Sequence, residues 1–221
     1  MNYEYKEYKH FFPVYSIMQT ILSKYNLHCE SAGDINEHLP TLAQYASECE
    51  SVIELGVRGC VSSWAFCKGL LENGKVGKKI FFNDISPCNI NELLSLCPQV
   101  GIDATYEWKN DLLVDTSSME TDLTFIDTWH VYGQLKRELE KYSPITKKYI
   151  IMHDTEVDGA VGETIRVGWN AQEQSVQSGF PVDEINRGLM PAVTEFLENH
   201  EEWVLHEHYQ NNNGLTVLKR I

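Results

Sequence analysis

The chain has 221 residues, of which 43% are hydrophobic and 11% aromatic, enough apolar side chain to bury one sizeable core. Its formal net charge of −14 argues against a clustered Lys and Arg surface that tracks nucleic-acid phosphates, so DNA and bulk RNA are not expected partners. No uncharged apolar run approaches the roughly 20 residues of a membrane span, and residues 1–10 lack the basic and apolar regions of a signal peptide.

Residues 1–50 read as a helical extension. Phe11, Phe12, Val14, Tyr15, Ile17, Met18, Ile21 and Leu22 recur at three- and four-residue intervals, a stripe that needs a partner surface on the main domain or on a second copy in a homodimer. Residues 33–40 are polar and turn-prone, either a linker or part of a cofactor lid, and a helix follows over 41–49. From residue 51 to 221 the pattern becomes one α/β unit. Strands are expected over 51–56, 79–84, 104–108, 122–127 and 149–152, alternating with helices over 62–71, 89–97 and around Leu135, Leu139 and Tyr142. Alternation at this spacing implies a doubly wound, Rossmann-like sheet, mainly parallel. Residues 203–209 and 215–218, around Asn211-Asn212-Asn213-Gly214, read as a C-terminal antiparallel hairpin at one edge. The six cysteines, at 29, 49, 60, 67, 88 and 97, form no CxxC pair and read as reduced thiols of a cytoplasmic protein. Whether the chain is one domain of a larger polypeptide stays open.

Ligands of open α/β sheets bind beyond the carboxyl ends of the strands, near the point where strand order reverses. The first such end is Glu54-Leu55-Gly56-Val57-Arg58-Gly59, with Ser62 and Ser63 opening the next helix. A dinucleotide fingerprint requires a second glycine where Arg58 stands, so a phosphate-free nucleoside bearing a carboxylate, such as S-adenosylmethionine, is the better fit. The second end, Asn83-Asp84-Ile85, offers Asp84 to both hydroxyls of a ribose, and Asp111 is placed to accept from an adenine amino group. The expected cofactor contacts are Glu54, Gly56, Val57, Arg58, Ser62, Ser63, Asp84, Ile85, Asp111 and Asp127.

The most informative ends are Phe125-Ile126-Asp127-Thr128-Trp129-His130 and Met152-His153-Asp154. Two neighbouring strands each ending in a carboxylate bring Asp127 and Asp154 into one pocket, with His130 and His153 beside them. Oxygen-rich ligands of that kind suit Mg²⁺, Mn²⁺ or Ca²⁺ rather than zinc. The ion would hold hydroxyls of an acceptor; His130 is the first choice as general base and His153 the second, and either is alternatively a metal ligand. Trp129 stacks on a sugar or adenine face or is ordinary core. The stretch from Asp158 to Arg166 reads as a loop and helix start able to close over the site, with Glu163 and Arg166 alternatively a surface ion pair.

The stretches Glu54–Val57, Phe125–His130 and Met152–Asp154 resemble the small-molecule and sugar O-methyltransferases related to macrocin O-methyltransferase and the cephalosporin-hydroxylase-like proteins. Residues 34–40, 127–132 and 211–217 also resemble a subgroup of large algal viruses, chloroviruses among them, that caps a glycan rhamnose by O-methylation. The resemblance implies a class I fold, S-adenosylmethionine as methyl donor, a sugar or glycan acceptor, and a viral protein working in host cytoplasm. It also implies that Asp127 and Asp154 occupy metal positions, with His153 where some relatives carry a glutamate ligand; Mg²⁺ or Mn²⁺ is the expected ion. Two departures, His153 itself and Thr128-Trp129 after the aspartate, bear on the third ligand and on the acceptor pocket. The rivals are a catalytically silent nucleoside- or glycan-binding module of the same fold and, disfavoured by Arg58, an NAD-dependent oxidoreductase.

Overall fold

A computed structural model describes residues 8–221, with side chains from Val14 onward. The polar segment 1–7 and the side chains of Phe11 and Phe12, the start of the expected aromatic stripe, lie outside the described residues. In chain order the elements are α1 (Tyr8–Glu30), α2 (Leu39–Ser47), β1 (Ser51–Leu55), α3 (Val61–Glu72), β2 (Lys78–Asp84), α4 (Asn91–Leu96), β3 (Ile102–Trp108), β4 (Thr121–Ile126), α5 (Tyr132–Tyr142) and β5 (Thr146–His153). Helices α6 (Glu163–Arg166), α7 (Ala171–Ser178), α8 (Val182–Asn186) and α9 (Leu189–Asn199) follow, then β6 (Trp203–Tyr209) and β7 (Leu215–Arg220).

The seven strands form one sheet in the order β3-β2-β1-β4-β5-β7-β6. Strands β1 to β5 are parallel, whereas β7 runs antiparallel between β5 and β6. The expected hairpin is present, but β6 alone forms the edge and β7 is interior. All six residues of β4 are buried, as expected of a central strand covered on both faces. Successive side chains point to opposite faces, and the core divides accordingly. Val52, Phe125 and Ile151 pack with α2 and α3 through Leu42, Phe66 and Leu70. Ile53, Ile126, Ile150 and Met152 pack with α5 and α9 through Leu135, Leu139, Val193 and Phe196.

Within the N-terminal stripe, Ile21 is fully buried and Ile17 and Tyr25 join the α2/α3 core, while Val14 and Tyr15 are exposed. Lys24 bridges to Glu92 at 2.8 Å and lies over the Trp64 ring, which fixes α1 against the main sheet layer. Helices α7, α8 and α9 have no counterpart in the sequence reading. All six cysteines are free thiols, and among the described residues no helix is long and apolar enough to cross a membrane.

Strand order reverses at β1, with β2 on one side and β4 on the other. Leu55 pairs with Asn83 and with Ile126, and Ile126 with Met152, so the carboxyl ends of these strands lie level. Residues 56, 84, 127 and 153–154 therefore emerge side by side along one rim.

Candidate active site

Gly56 begins the turn after β1 with φ +89°, a conformation closed to most side chains. A Cβ at this position would collide with the Asp127 carbonyl, so glycine is demanded both by the backbone and by the close approach of the β4 end. Val57 and Arg58 then turn their amides onto Asp84 Oδ2, at 3.0 and 2.8 Å, and Ser86 N donates to Oδ1 at 2.7 Å. A carboxylate has about four acceptor positions. Asp84 lines the cleft and uses three of them to hold two strand-end loops in register. The Arg58 guanidinium reaches outward to Asp34 Oδ2 at 3.0 Å and ties the turn to the loop between α1 and α2.

Glu54 lies under this turn, fully buried and away from the cleft lining. Its Oε1 accepts from Ser62 Oγ, while its Oε2 and Ser63 Oγ have no partner. Burial pushes the Glu54 carboxyl up to about 8, opposed by the Ser62 hydrogen bond and the nearby Ser63 hydroxyl and reinforced by the charges of Asp127 and Asp84. Of the residues expected around the cofactor, Gly56, Arg58, Asp84, Ile85, Asp111 and Asp127 line one cleft of about 840 Å³, whereas Glu54, Val57, Ser62 and Ser63 are buried and do not line it.

At one end of the cleft Ile85 and Leu113 are exposed apolar walls. Between them Asn110 Oδ1 caps the Leu112 amide at 2.9 Å and presents Asp111, which is buried at the wall. Gln134 Nε2, from α5, donates to both Asp111 oxygens at 3.0 and 3.2 Å and to Glu138 Oε1 at 2.7 Å. Thr128 Oγ1 donates to the same Glu138 oxygen at 2.5 Å. Burial raises both acids, and the Asp111 charge lifts Glu138 well above the usual carboxylate range.

The other end is a cluster of acids and imidazoles. His130 Nε2 stands 3.1 Å from Asp127 Oδ1 and 3.1 Å from Asp154 Oδ2; its Nδ1 stands 3.1 Å from Asp158 Oδ2 and 3.8 Å from Glu163 Oε2. Both ring nitrogens face acceptors, so the ring is held as a cation. Burial alone would lower its pKa, but the bonds to Asp127 and Asp158 hold it well above the ordinary histidine value. Burial likewise opposes ionisation of Asp127, and the two imidazoles outweigh it, keeping that carboxyl well below the usual range. Asp158 is fully buried and its carboxylate also receives Arg166 Nε at 2.5 Å and Nη2 at 2.8 Å. Arg166 is thus committed to Asp158, with Glu163 only at 4.0 Å, so the expected alternative of a surface Glu163–Arg166 pair gives way to a loop clamped onto the site.

His153 Nε2 lies 3.1 Å from the Asn212 carbonyl, which can only accept, so this nitrogen carries a proton. Nδ1, buried and without a hydrogen-bond partner, is 3.6 Å from Asp127 Oδ1 and 3.4 Å from Asp154 Oδ2. Burial lowers this ring's pKa and the two carboxylates raise it to about 10, so a proton is one occupant of the space between the three groups. A divalent cation is the other: two carboxylate oxygens and an orphaned imidazole nitrogen lie close enough to share one ion, and the set suits Mn²⁺ or Mg²⁺. The three residues therefore fit the expected metal. Asp154 holds its position in the left-handed region, φ +57°, an uncommon strain for a non-glycine residue.

Trp129 stacks on Phe180 with ring centroids 5.9 Å apart at 13°, and its indole nitrogen is buried without a partner. With half-exposed Trp169 and the α7 side chains Gln174, Gln177 and Ser178, these rings form the cleft's outer wall. Sequence reasoning missed Gln134, Glu138, Phe180 and the role of Asp158. The α7 wall had no signal, because that helix is polar all round and buries no residue.

No family model and no curated protein matches the chain. Solved structures do. An O-methyltransferase of Bacillus cereus in complex with SAH superposes with a TM-score of 0.54 at 13% identity, covering 93% of this chain and 91% of that one. The SAH-bound methyltransferase PaMTH1 of Podospora anserina gives 0.52 at 10% identity, over 100% and 98%. The cofactor-bound Rv0187 of MTB gives 0.55 at 11%, over 93% and 89%. The fold is therefore the Rossmann-like fold of the class I methyltransferases, with its mainly parallel sheet and C-terminal antiparallel hairpin.

Proposed function

We propose that the chain is an S-adenosylmethionine-dependent O-methyltransferase that methylates a sugar hydroxyl, assisted by a divalent cation at Asp127, His153 and Asp154. One observation carries this reading: the single cleft of about 840 Å³ that is lined by Gly56, Asp84 and Asp111 is also lined by Asp127 and His130 of the acid and imidazole cluster. The two halves meet at the switch point of the sheet, where a donor and an acceptor can be brought together.

The reaction is an in-line displacement. The acceptor oxygen forms a bond to the sulfonium methyl carbon as the carbon–sulfur bond breaks, and the sulfonium becomes a neutral thioether. The acceptor's proton must leave, and His130 is the group at the cleft best placed to take it. As an imidazolium among four carboxylates His130 already carries that proton, so the reading requires positive charge on Asp127 and Asp154. A bound divalent cation would supply that charge and acidify a hydroxyl. His153, held by the Asn212 carbonyl, then acts as a ligand rather than as base.

The sugar class is supported by the outer wall. Trp129, Trp169 and Phe180 offer flat apolar faces, and the amides of Gln174 and Gln177 offer paired donors and acceptors, a combination that suits a ring with apolar faces and a hydroxylated edge. A terminal rhamnose of a glycan is the first acceptor to test.

The oxidoreductase reading loses further ground because the Val57 and Arg58 amides, which a pyrophosphate would need, are both occupied by Asp84. A silent module would bind S-adenosylhomocysteine but transfer nothing. The deciding experiment is mass spectrometry of methyl-free rhamnosides and extracted glycans incubated with S-adenosylmethionine and Mg²⁺ or Mn²⁺. A mass gain of one methyl group, lost in Asp127→Ala, supports the proposal; cofactor binding without transfer to any acceptor leaves the silent module.

A further inference from the structure

Gln134, which lines the cleft beside Asp111, has its amide orientation fixed by its surroundings. Side-chain amides can usually be turned end for end, because oxygen and nitrogen are interchangeable in shape. Here the nitrogen faces Asp111 on one side, at 3.0 and 3.2 Å, and Glu138 on the other, at 2.7 Å. Turning the group would set a carbonyl oxygen against two acids. Among the described residues nothing donates to Gln134 Oε1, and the side chain lines the cleft, so the carbonyl is the face it offers to a ligand.

Glu138 does not line the cleft. Its Oε1 takes the Thr128 hydroxyl as well as the Gln134 amide, and its Oε2 is buried without a partner. Burial beside the Asp111 charge favours the protonated form of Glu138, which leaves Asp111 as the acceptor at the cleft wall. The Leu112 amide is already capped by Asn110. The side chains at this wall offer the edge of a base two acceptors, Asp111 and Gln134 Oε1.

We infer that Gln134 is a specificity-determining residue: with Asp111 it reads the exocyclic amino group of the cofactor's base, selecting 6-aminopurines over 6-oxopurines, and Glu138 positions it. This rests on the proposal that the cleft takes an adenosyl cofactor. An amino group would place its two hydrogens toward the two acceptors. A 6-oxo group would set an oxygen against Gln134 Oε1 in a desolvated corner and leave that acceptor unmatched.

The test is calorimetric titration of the purified protein with S-adenosylhomocysteine and with S-inosylhomocysteine, reading the ratio of the two dissociation constants. The wild-type ratio should favour the adenosyl compound by about tenfold or more. In Gln134→Met the ratio should fall severalfold toward one. Glu138→Ala should lower it in the same way, whereas Glu138→Gln, which keeps a neutral group able to donate toward Asp111, should restore it. Thermal melts identify any variant that has lost its fold, and the Glu138→Gln ratio remains informative in that event. An unchanged ratio in Gln134→Met, with S-adenosylhomocysteine still bound, overturns the role of Gln134 alone. No binding of S-adenosylhomocysteine by the wild-type protein overturns the cofactor reading and this inference together.

Discussion

Asp158 Oδ2 lies 3.1 Å from His130 Nδ1, and the same fully buried carboxylate receives two nitrogens of Arg166. The loop after β5 is thereby anchored to the loop after β4, and His130 cannot rotate without leaving an unpaired buried charge.

Asp158→Asn is accordingly expected to lower kcat by about 10- to 100-fold while leaving the KM for the proposed methyl donor little changed, since the residue does not line the cleft. Stability should fall by about 1–3 kcal/mol, because a buried charged partner of Arg166 is removed. Steady-state kinetics and urea unfolding measure the two effects separately; a rise in cofactor KM with kcat intact would contradict the assignment.

Gly56→Ala places a Cβ against the Asp127 carbonyl in a backbone conformation of φ +89°. The left-handed region alone costs about 1–2 kcal/mol for a residue with a side chain, and the collision adds to it. The variant should unfold at lower urea concentration and lose S-adenosylhomocysteine binding. An unshifted midpoint would mean that the turn and the β4 end are not in contact.

Divalent cation binding is readable without turnover. Mn²⁺ should raise the melting temperature of the wild-type protein, and a chelator should reverse the shift, because an ion that binds only the folded chain stabilises it by mass action. Asp127→Ala and His153→Ala should each abolish the response. A response that survives both substitutions would place the ion elsewhere.

Glu54 makes stability depend on pH. Its carboxyl is raised by burial to about 8 from an ordinary 4.5, so the folded chain binds this proton more tightly than the unfolded chain. Its contribution is fully present below about pH 4.5 and is lost as pH rises toward 8. The slope has an upper limit of about 1.4 kcal/mol per pH unit. Glu54→Gln retains a hydrogen-bonding group without the ionisation, so its urea midpoint should decline less than that of the wild type across this interval. Parallel curves for the two proteins would show that Glu54 does not titrate there.

Much of the site was legible because it follows from strand order. Asp127 and Asp154 could be brought together from sequence since each ends an apolar strand, and parallel neighbours in level register put their ends side by side. The glycine turn was likewise visible, but not the use of Asp84 as its staple, because a carboxylate's partners among loop amides leave no mark on residue spacing. Buried acids were hardest to see. Glu138 occupies a helix whose Lys, Arg and Glu content reads as solvent-facing, and only the packing of α5 against the cleft wall encloses it. The interior position of β7 was invisible for a related reason: a hairpin's sequence specifies its own two strands, not which of them meets the sheet.

The Asn211–Gly214 turn between β6 and β7 grips both ends of the machinery. Asn212 gives its carbonyl to His153, its side-chain nitrogen donates to the Gly33 carbonyl and its side-chain oxygen accepts from the Glu37 amide, while the Asn213 carbonyl accepts from the Glu156 and Val157 amides. On a ribosome, β1 to β5 emerge long before that turn, yet His153 has no hydrogen-bond partner and the β5 edge stays bare until β7 is in place. The last hairpin therefore sets the orientation of the His153 ring beside Asp127.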